Sequence, residues 1–386
     1  MKLFTSILNA RLLRWNHEHN FLSDLQAAYR PRLGCLNHTF LLYSLVTKQL
    51  RANKRLYCFF VDLSGAFDSV SHMILWEKLS KAGLSSAFVK CIKCLYERAH
   101  ACVKTIDGFT DPLNINVGVL QGESLSPTLF NFFINDVIET LNRSFTSPVS
   151  IGDRRLHALL YADDIVLMAY SAESLQQKID VLKSYFKQNQ LILNVFKSKI
   201  VVFRNSGRLR KNDKFKWGVR ELEIVKEFKY LGVLYPSTGA MYRTVKDFLA
   251  RGRAVLSSMW PIFIKSKLPL SQSQFKLFNS LVKTVIGYGA EVWGLRHLHN
   301  IDNFQWFFVK KLLKLPQSTP NFFIKLESNL ENPSVNIITQ SIKLWAKSLN
   351  PQNHLLNSCY CDQWNLQGDV SNNWALQLKN VLNLVT

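Results

Sequence analysis

The sequence predicts an α+β fold, because short apolar runs with strand character alternate with amphipathic helical segments between about residues 56 and 235. A buried strand is predicted at residues 56–63, and further strands at residues 200–203 and 227–234. Beyond residue 240 the strand signals fade and helical periodicity replaces them. The chain therefore divides into a mixed core and a mainly helical C-terminal region.

Helices are predicted from apolar spacing and from end signals such as a serine cap, a proline in the first turn or a closing glycine. The clearest stripe begins after Ser126 and Pro127 and continues as one helix to Leu141. In the C-terminal region a stripe from Phe275 to Val285 predicts another helix. Further helices are predicted within residues 1–55, 71–83 and 85–98 and from Ser171 onward.

The charge of the chain is strongly positive, with 48 Lys and Arg against 27 Asp and Glu and a formal net charge of +21. This excess favours a polyanionic partner, with nucleic acid first and an anionic membrane surface second. No apolar run reaches the ~20 residues that span a bilayer, so no transmembrane helix is predicted. The first residues lack a signal-peptide cleavage pattern, and seven cysteines favour reduced thiols inside a cell.

Two local clusters admit more than one interpretation. Cys91 and Cys94, with His100 and Cys102 beyond them, have the residue types of a zinc site, but their spacing matches no common zinc module and an amphipathic helix fits better. The second cluster is a basic loop, which fits a solvated surface and a phosphate contact equally well. It contains Arg204, Arg208, Arg210, Lys211, Lys214 and Lys216.

Two adjacent carboxylates, Asp163 and Asp164, interrupt an apolar run at residues 159–167, where two strands joined by a tight turn are predicted. Ionised carboxylates that leave water need a cationic partner. Asp62 ends the first predicted strand, and a glycine-containing turn at residues 118–122 precedes a helix. Carboxylates on neighbouring strands are the ligands that two-metal phosphoryl transfer with Mg²⁺ requires. A strand-end cap and a polar hairpin turn remain the simpler alternatives.

Five segments, in order and spacing, resemble the successive motifs of reverse transcriptases, and the match is closest to the enzymes of non-LTR (LINE-like) retrotransposons. Any one of them alone is a weak signal. QAAYR (26–30) also resembles that family's QAGFR, with departures at Ala28 and Tyr29. IGYGAEVWG (286–294) and LLKLPQSTP (312–320) resemble segments beyond its palm. The five segments are FVDLSGAFDSV (60–70), GVLQGESLSPTLFNFFINDV (118–137), LLYADDIVLMA (159–169), LILNVFKSK (191–199) and EFKYLGV (227–233).

The resemblance implies a right-hand polymerase with partial fingers, an RRM-like palm and a mainly helical thumb and C-terminal region. Residues 1–235 would form the reverse transcriptase domain and residues 236–386 the thumb and C-terminal region. The implied activity is RNA-directed DNA polymerisation with two Mg²⁺ ions, an RNA template, a DNA primer and deoxynucleoside triphosphates, in the cytoplasm and nucleus. Relatives carry an upstream endonuclease and more of the fingers, so an N-terminally truncated protein is expected, of unknown oligomeric state.

Site residues are carried over by motif. Asp62 and Asp163 would bind both metal ions, helped by the main-chain carbonyl of Leu63, and Asp164 would support the site. Phe67 stands where the family places an aromatic ring that collides with a ribose 2′-hydroxyl, although a phenylalanine there also fits core packing. The other implied nucleotide contacts, for which a plain turn or a surface cation is the alternative, are Gln121, Gly122, Arg30 and Lys197.

Two other functions stay open at this point. A truncated, catalytically inactive relative would still bind nucleic acid through its basic surface. An unrelated metal hydrolase with paired carboxylates fits less well, because it would not need the turn at Gln121 and Gly122 or the aromatic ring of Phe67.

Overall fold

The fold places a five-stranded sheet among helices, in a computed structural model that describes residues 2–31, 33–106, 108–265, 272–328, 330–350, 353–366 and 373–383. A π-helical segment, Phe278–Lys283, and a 3₁₀ turn, Leu295–His297, accompany the α-helices. The α-helices are α1 (Lys2–His19), α2 (Cys35–Arg51), α3 (His72–Lys81), α4 (Ser86–Glu97), α5 (Ser126–Ile134), α6 (Asp136–Arg143), α7 (Ala172–Gln188), α8 (Tyr242–Lys265), α9 (Gln272–Leu277), α10 (Thr284–Ile286), α11 (Ala290–Trp293), α12 (Leu298–Leu312), α13 (Asn321–Ser328), α14 (Pro333–Leu349), α15 (His354–Asn365) and α16 (Trp374–Asn383).

The strands are short, and most of them belong to hairpins. They are β1 (Leu56–Val61), β2 (His100–Ala101), β3 (Lys104–Thr105), β4 (Gly108–Phe109), β5 (Leu113–Asn114), β6 (Val149–Ile151), β7 (Arg154–Leu156), β8 (Ala158–Tyr161), β9 (Asp164–Ala169), β10 (Lys199–Phe203), β11 (Phe215–Trp217), β12 (Arg220–Leu222), β13 (Ile224–Val225), β14 (Glu227–Tyr230) and β15 (Val233–Pro236).

The main sheet has the strand order β13–β10–β1–β9–β8. Strand β1 pairs antiparallel with both β9 and β10, and only β10 and β13 run parallel. Every residue of β1 is buried, as its uninterrupted apolar sequence LYCFFV requires of a central strand. Helix α7 packs across β1 and β9, and α2 also contacts β1. The sheet is therefore covered by helices, and the ends of β1, β8 and β9 meet at one edge.

The first half of the chain follows the sequence predictions closely, with one break. Residues 126–141 were expected to form one helix, but α5 ends at Ile134 and α6 begins at Asp136. The ammonium group of Lys78 donates to the carbonyl of Phe133 at 2.7 Å. A side chain that takes a helical carbonyl interrupts the ladder of main-chain hydrogen bonds at that point.

The strand predicted at residues 227–234 is wrong in its length, because β14 and β15 form a hairpin instead. Leu231 and Gly232 make its two-residue turn, with φ of 45° and 81°. Two consecutive positive φ angles are typical of the tight turns that connect antiparallel strands. The ring of Phe228 on β14 stacks on Phe60 of β1 with centroids 4.5 Å apart, so this hairpin packs against the central strand.

The C-terminal region is helical among the described residues, as predicted, and it packs back onto α2. Lys48 of α2 forms an ion pair with Asp362 of α15 at 2.6 Å, and the buried ring of Trp374 contacts Phe40 edge-on at 4.9 Å. The predicted stripe is confirmed at Phe278 and Val282, which are buried, whereas its last position shifts by one residue, from Val285 to the buried Ile286. A π-helical turn holds more residues than an α-helical turn, which accounts for the shift.

No helix among the described residues is long and apolar enough to cross a membrane. The division of the chain near residue 235 remains a prediction.

Candidate active site

Strand register brings the three predicted catalytic carboxylates to one edge of the sheet. The pairing between β1 and β9 ends with Val61 opposite Ile165. Asp62 and Asp164 follow one step beyond it, so they lie opposite each other at the strand ends. Asp164 also pairs with Tyr161 of β8, which closes the hairpin. Directly opposed residues in an antiparallel ladder have Cα atoms about 4.5–5.5 Å apart, so these side chains are neighbours.

Asp163 lies in the turn between β8 and β9, directly after an alanine with a strained backbone. Ala162 has φ of 53°, in the left-handed region that residues with a Cβ atom rarely occupy. The predicted tight turn is present, although aspartate, the residue type that tolerates such angles better, is Asp163. The strain lies one residue earlier, at a buried position whose amide needs a hydrogen-bond acceptor.

Gln26 supplies that acceptor, and sequence reasoning missed it. Its buried Oε1 atom accepts from the amides of Ala162 at 3.0 Å and of Ala28 at 3.2 Å. Main-chain hydrogen bonds from Ala27 to Leu160 and from Leu160 to Leu25, at 3.0 and 2.9 Å, add this segment to the edge of β8. The motif QAAYR drew attention to Arg30, whereas the polar residue with the direct link to the carboxylate turn is the glutamine. The sequence itself shows only a glutamine before two alanines, which does not reveal that its side chain is buried.

The electrostatics of the three carboxylates show that they are close to one another. Burial, followed by repulsion from Asp163 and Asp62, raises the pKa of Asp164 to about 6. Burial and repulsion from Asp62 also raise the pKa of Asp163. Both shifts disfavour the ionised forms. A cation bound at this edge would therefore offset the repulsion between the carboxylates and favour their ionised forms.

The three carboxylates form no ion pair with a cationic side chain in the part of the chain that the structure describes. Within the same part of the chain, no three His, Cys, Asp or Glu side chains are arranged to hold a metal ion by themselves. Mg²⁺ does not need such a cage, because it commonly binds one or two carboxylates together with substrate phosphates. The oxygen donors present fit that mode.

The turn that follows α7 fixes the main chain around Asp62. The amide of Asn194 donates to the Asp62 carbonyl at 2.9 Å, and the Asp62 amide donates to the hydroxyl of Ser198 at 3.0 Å. The isolated bridge between Leu63 and Leu193 uses the Asp62 carbonyl and the Ser64 amide. It therefore does not engage the carbonyl of Leu63, the group expected to assist a metal. Lys197 lies in the same turn and is exposed.

The loop at residues 118–122 lies against the segment that follows Asp62. The ring of Phe67 is half-buried and stacks on Phe130 of α5 with centroids 4.9 Å apart. Core packing therefore sets the orientation of this ring without removing it from the surface. Gln121 and Gly122 are exposed, and Gly122 has φ of 85° with open space where a Cβ atom would lie. The loop thus presents main chain and one amide side chain to solvent.

Comparison with known proteins identifies the family. The family model described as "Reverse transcriptase (RNA-dependent DNA polymerase)" matches residues 1–235. The chain belongs to the reverse transcriptase family. The predicted resemblance to reverse transcriptases of non-LTR retrotransposons is confirmed by the relatives as well.

Three relatives show how much of each protein is matched. The chain is 30% identical over 224 residues to the retrovirus-related Pol polyprotein from type-1 retrotransposable element R2 of Bradysia coprophila, covering 56% of the chain and 25% of that protein. It is 25% identical over 333 residues to the polyprotein from type-2 retrotransposable element R2DM of Drosophila melanogaster, covering 83% and 30%. It is 24% identical over 326 residues to the RNA-directed DNA polymerase from mobile element jockey of Drosophila funebris, covering 82% of the chain and 34% of that protein. The chain thus spans about a quarter to a third of these relatives.

Among solved structures, the chain resembles telomerase from Candida albicans in complex with a fragment of telomeric RNA. The TM-score is 0.46 at 14% identity, over 94% of this chain and 54% of that one. Apo telomerase from Candida tropicalis gives a TM-score of 0.44 at 12% identity, over 97% and 61%.

Arg30 occupies a constrained position in this reverse transcriptase chain. Its guanidinium donates to the carbonyls of Ser23 at 2.5 Å and Gln26 at 3.2 Å, and Asp24 lies 3.9 Å away. Burial lowers its pKa, and the charge of Asp24 partly opposes this shift. The side chain therefore braces the loop that carries Gln26 through its Nη1 group.

The basic loop is anchored by hydrogen bonds to one buried aspartate, and most of its cationic side chains are exposed. Asp213 accepts from Arg55 at 2.9 Å and from the amide of Arg210 at 2.7 Å. Arg204 is engaged with main-chain carbonyls. The remaining cations named above face solvent. Of the cysteines considered for zinc, Cys91 and Cys94 lie on α4, and all seven are free thiols.

Proposed function

We propose that this chain is an RNA-directed DNA polymerase that extends a primer 3′-hydroxyl with deoxynucleotides by two-metal phosphoryl transfer. The observation that carries the proposal is the convergence of Asp62, Asp163 and Asp164 at one edge of the sheet, where none of them is in an ion pair with another described residue. Membership of the reverse transcriptase family supports the choice of reaction. Since the chain spans only part of its relatives, the activity is proposed for this segment alone.

The metal-binding residues would be Asp62 and Asp163 with the Leu63 carbonyl, and Asp164 would add negative charge beside them. Bound Mg²⁺ would neutralise phosphate charge and make the primer hydroxyl a better nucleophile. The chain's own residues hold these ligands in place: β1 and β9 fix Asp62 and Asp164, and Gln26 fixes the turn that carries Asp163. Ligands placed on rigid strands keep their geometry through the reaction.

Nucleotide selection would rest on the surface between β1 and α5. The stacked ring of Phe67 would exclude a ribose 2′-hydroxyl, and the main chain at Gly122 would allow close approach of a nucleotide. Gln121 would contact the nucleotide or the template base. Lys197 and Arg30 would contact the phosphates.

An RNA template and a DNA primer are the proposed macromolecular partners. The net charge of +21 and the exposed cations of the basic loop fit an electrostatic contact with their phosphates. Such a contact weakens steeply with salt, because binding releases counterions from the nucleic acid.

Primer extension on an RNA template tests the proposal. The purified chain should add deoxynucleotides in the presence of Mg²⁺ and lose the reaction in EDTA. A double variant with Asp163→Ala and Asp164→Ala should lose at least about 1,000-fold in rate, because it removes ligands that position the metal ions. Circular dichroism of the variant should match the parent, which separates lost chemistry from lost folding.

If the parent incorporates no more deoxynucleotide than the double variant, the polymerase proposal is wrong. Salt-dependent RNA binding without Mg²⁺-dependent incorporation would then identify a nucleic-acid-binding relative without catalysis.

A further inference from the structure

Asp68 lies six residues after Asp62 and has no role in the site described so far. Its Oδ1 atom accepts a hydrogen bond from Nε2 of Gln121 at 2.8 Å. We propose that Asp68 is a positioning residue that fixes the amide of Gln121, so that the carbonyl oxygen of Gln121 is presented to the incoming nucleotide. This inference rests on the proposed polymerase function and adds a residue to it.

The two loops that carry Asp68 and Gln121 are held together by their main chains. The amides of Gly118 and Val119 donate to the carbonyls of Val70 and Phe67, each at 2.8 Å. The ring of His72 contacts the carbonyl of Gly118 through Nε2 at 2.7 Å. These bonds set the separation of the loops before the side chains of Asp68 and Gln121 meet.

Gly118 makes this close approach possible. A Cβ atom at this position would lie 3.0 Å from the main-chain oxygen of Asp68, and φ is 94°. Any other residue would therefore push the two loops apart and strain the backbone. The glycine brings the main chain of residues 118–121 to the distance at which the short side chain of Asp68 reaches Gln121.

The chemistry of the pair gives the amide a direction. An ionised carboxylate only accepts hydrogen bonds, whereas an amide side chain both donates and accepts. Asp68 therefore binds the NH₂ group of Gln121 and leaves the Oε1 atom of Gln121 facing away from the pair. The group recognised by Gln121 should then be a hydrogen-bond donor, such as a sugar hydroxyl or a base amino group.

Single-nucleotide incorporation kinetics test this role. Asp68→Ala should raise the KM for the deoxynucleoside triphosphate about five- to tenfold, the net effect of one typical hydrogen bond, and change kcat by less than about twofold. Asp180 offers a matched control, because it accepts from Gln176 on the exposed face of α7 at 3.1 Å. Asp180→Ala should leave both constants unchanged. A KM for Asp68→Ala equal to that of Asp180→Ala would overturn the inference.

Exchanging the carboxylate and the amide between positions 68 and 121 tests whether Asp68 orients the side chain at position 121 or only supports the loop. Gln121→Glu alone opposes two carboxylates and should raise KM more than Asp68→Ala does. Adding Asp68→Asn restores a donor–acceptor pair, with an oxygen of the new side chain at position 121 still facing outward, and should recover at least about half of the lost affinity. A double variant no better than Gln121→Glu would contradict the inference. Absence of incorporation by the parent would instead overturn the polymerase proposal, so the two failures differ.

Discussion

The two ends of strand β1 lie next to aspartates in opposite electrostatic settings. Next to its first residue, Asp213 is almost fully buried and completely partnered. It accepts from Arg55 at 2.9 Å, from the Tyr57 hydroxyl at 3.0 Å and from the Arg210 amide at 2.7 Å. This arrangement anchors the basic loop to the sheet, since a buried charge is tolerated when it is paired and hydrogen-bonded.

At the other end, about 20 Å away along the strand, Asp62 meets Asp163 and Asp164 with no cationic side chain in an ion pair among the described residues. Burial and mutual repulsion raise the pKa values of Asp163 and Asp164. The same strand thus shows that this protein can satisfy a buried carboxylate. The proposed metal ions would balance the charge at this second end, and without them the repulsion lowers the stability of the folded protein.

The largest expected effect comes from replacing an aspartate by asparagine at the carboxylate end of β1. The same replacement at Asp213 provides the comparison. Asp62→Asn removes a proposed metal ligand and should reduce primer extension at least about 1,000-fold, while the unfolding free energy stays equal to or above that of the parent. Primer extension and urea unfolding monitored by circular dichroism measure the two quantities. Loss of stability comparable to the loss at Asp213 would show that Asp62 is an ordinary structural aspartate.

Asp213→Asn should give the reverse pattern. It leaves the partly exposed guanidinium of Arg55 without its countercharge and should lower the unfolding free energy by about 3 kcal/mol, as breaking a buried ion pair does. The kcat of the folded fraction should be unchanged, because Asp213 lies at the far end of the strand. A large loss of kcat in fully folded Asp213→Asn would contradict the claim that Asp213 contributes to stability and not to catalysis.

The carboxylate end was far easier to predict from sequence than the anchored end. The apolar run that Asp62 closes and the paired acids at 163 and 164 define strands whose register follows from their own pattern. Asp213 gave no such signal, because its partner Arg55 is more than 150 residues earlier and the contact depends on how the loop folds back. Long-range polar contacts of this kind leave no local periodicity to detect.

Other details that the sequence did not predict have physical causes of the same kind. Intrinsic preference favours aspartate over alanine for a left-handed angle, but Ala162 adopts it, and Gln26 satisfies its amide from a distant segment. The break between α5 and α6 depends on Lys78, which is more than 50 residues away. Local propensity therefore predicted the elements, and tertiary hydrogen bonds decided their ends and turns.

An intermediate effect is expected where Gln26 supports the carboxylate turn. Gln26→Met keeps the side-chain length but leaves the buried amides of Ala162 and Ala28 without an acceptor, and should lower the unfolding free energy by about 2 kcal/mol. Gln176 is a matched control, since its Oε1 accepts from the amide of Lys216 at 2.9 Å on the surface. Gln176→Met should cost less than about 0.5 kcal/mol, because water replaces the lost partner. Equal losses would show that Gln26 does not brace the turn.

The smallest effect concerns the charge of the carboxylate end itself. The folded-state pKa of Asp164, about 6 against an ordinary 3.8, means that the native state binds more protons than the unfolded state between these pH values. Stability should therefore fall as the pH rises through this window, and the loss should be complete above it. Asp164→Asn removes the penalty and should stabilise the metal-free protein at neutral pH by about 1 kcal/mol. This value is reduced from the ~3 kcal/mol of a fully buried group because Asp164 faces solvent.

Urea unfolding in EDTA at about pH 7 and about pH 4 measures this gain, with the exposed Asp180→Asn as the control. The gain should vanish at the lower pH, where the carboxyl group is protonated in the native state. Adding Mg²⁺ at neutral pH should stabilise the parent more than Asp164→Asn, since the ion offsets the repulsion that the variant has already lost. A gain of the same size at both pH values would mean that repulsion between carboxylates is not what distinguishes this end of β1.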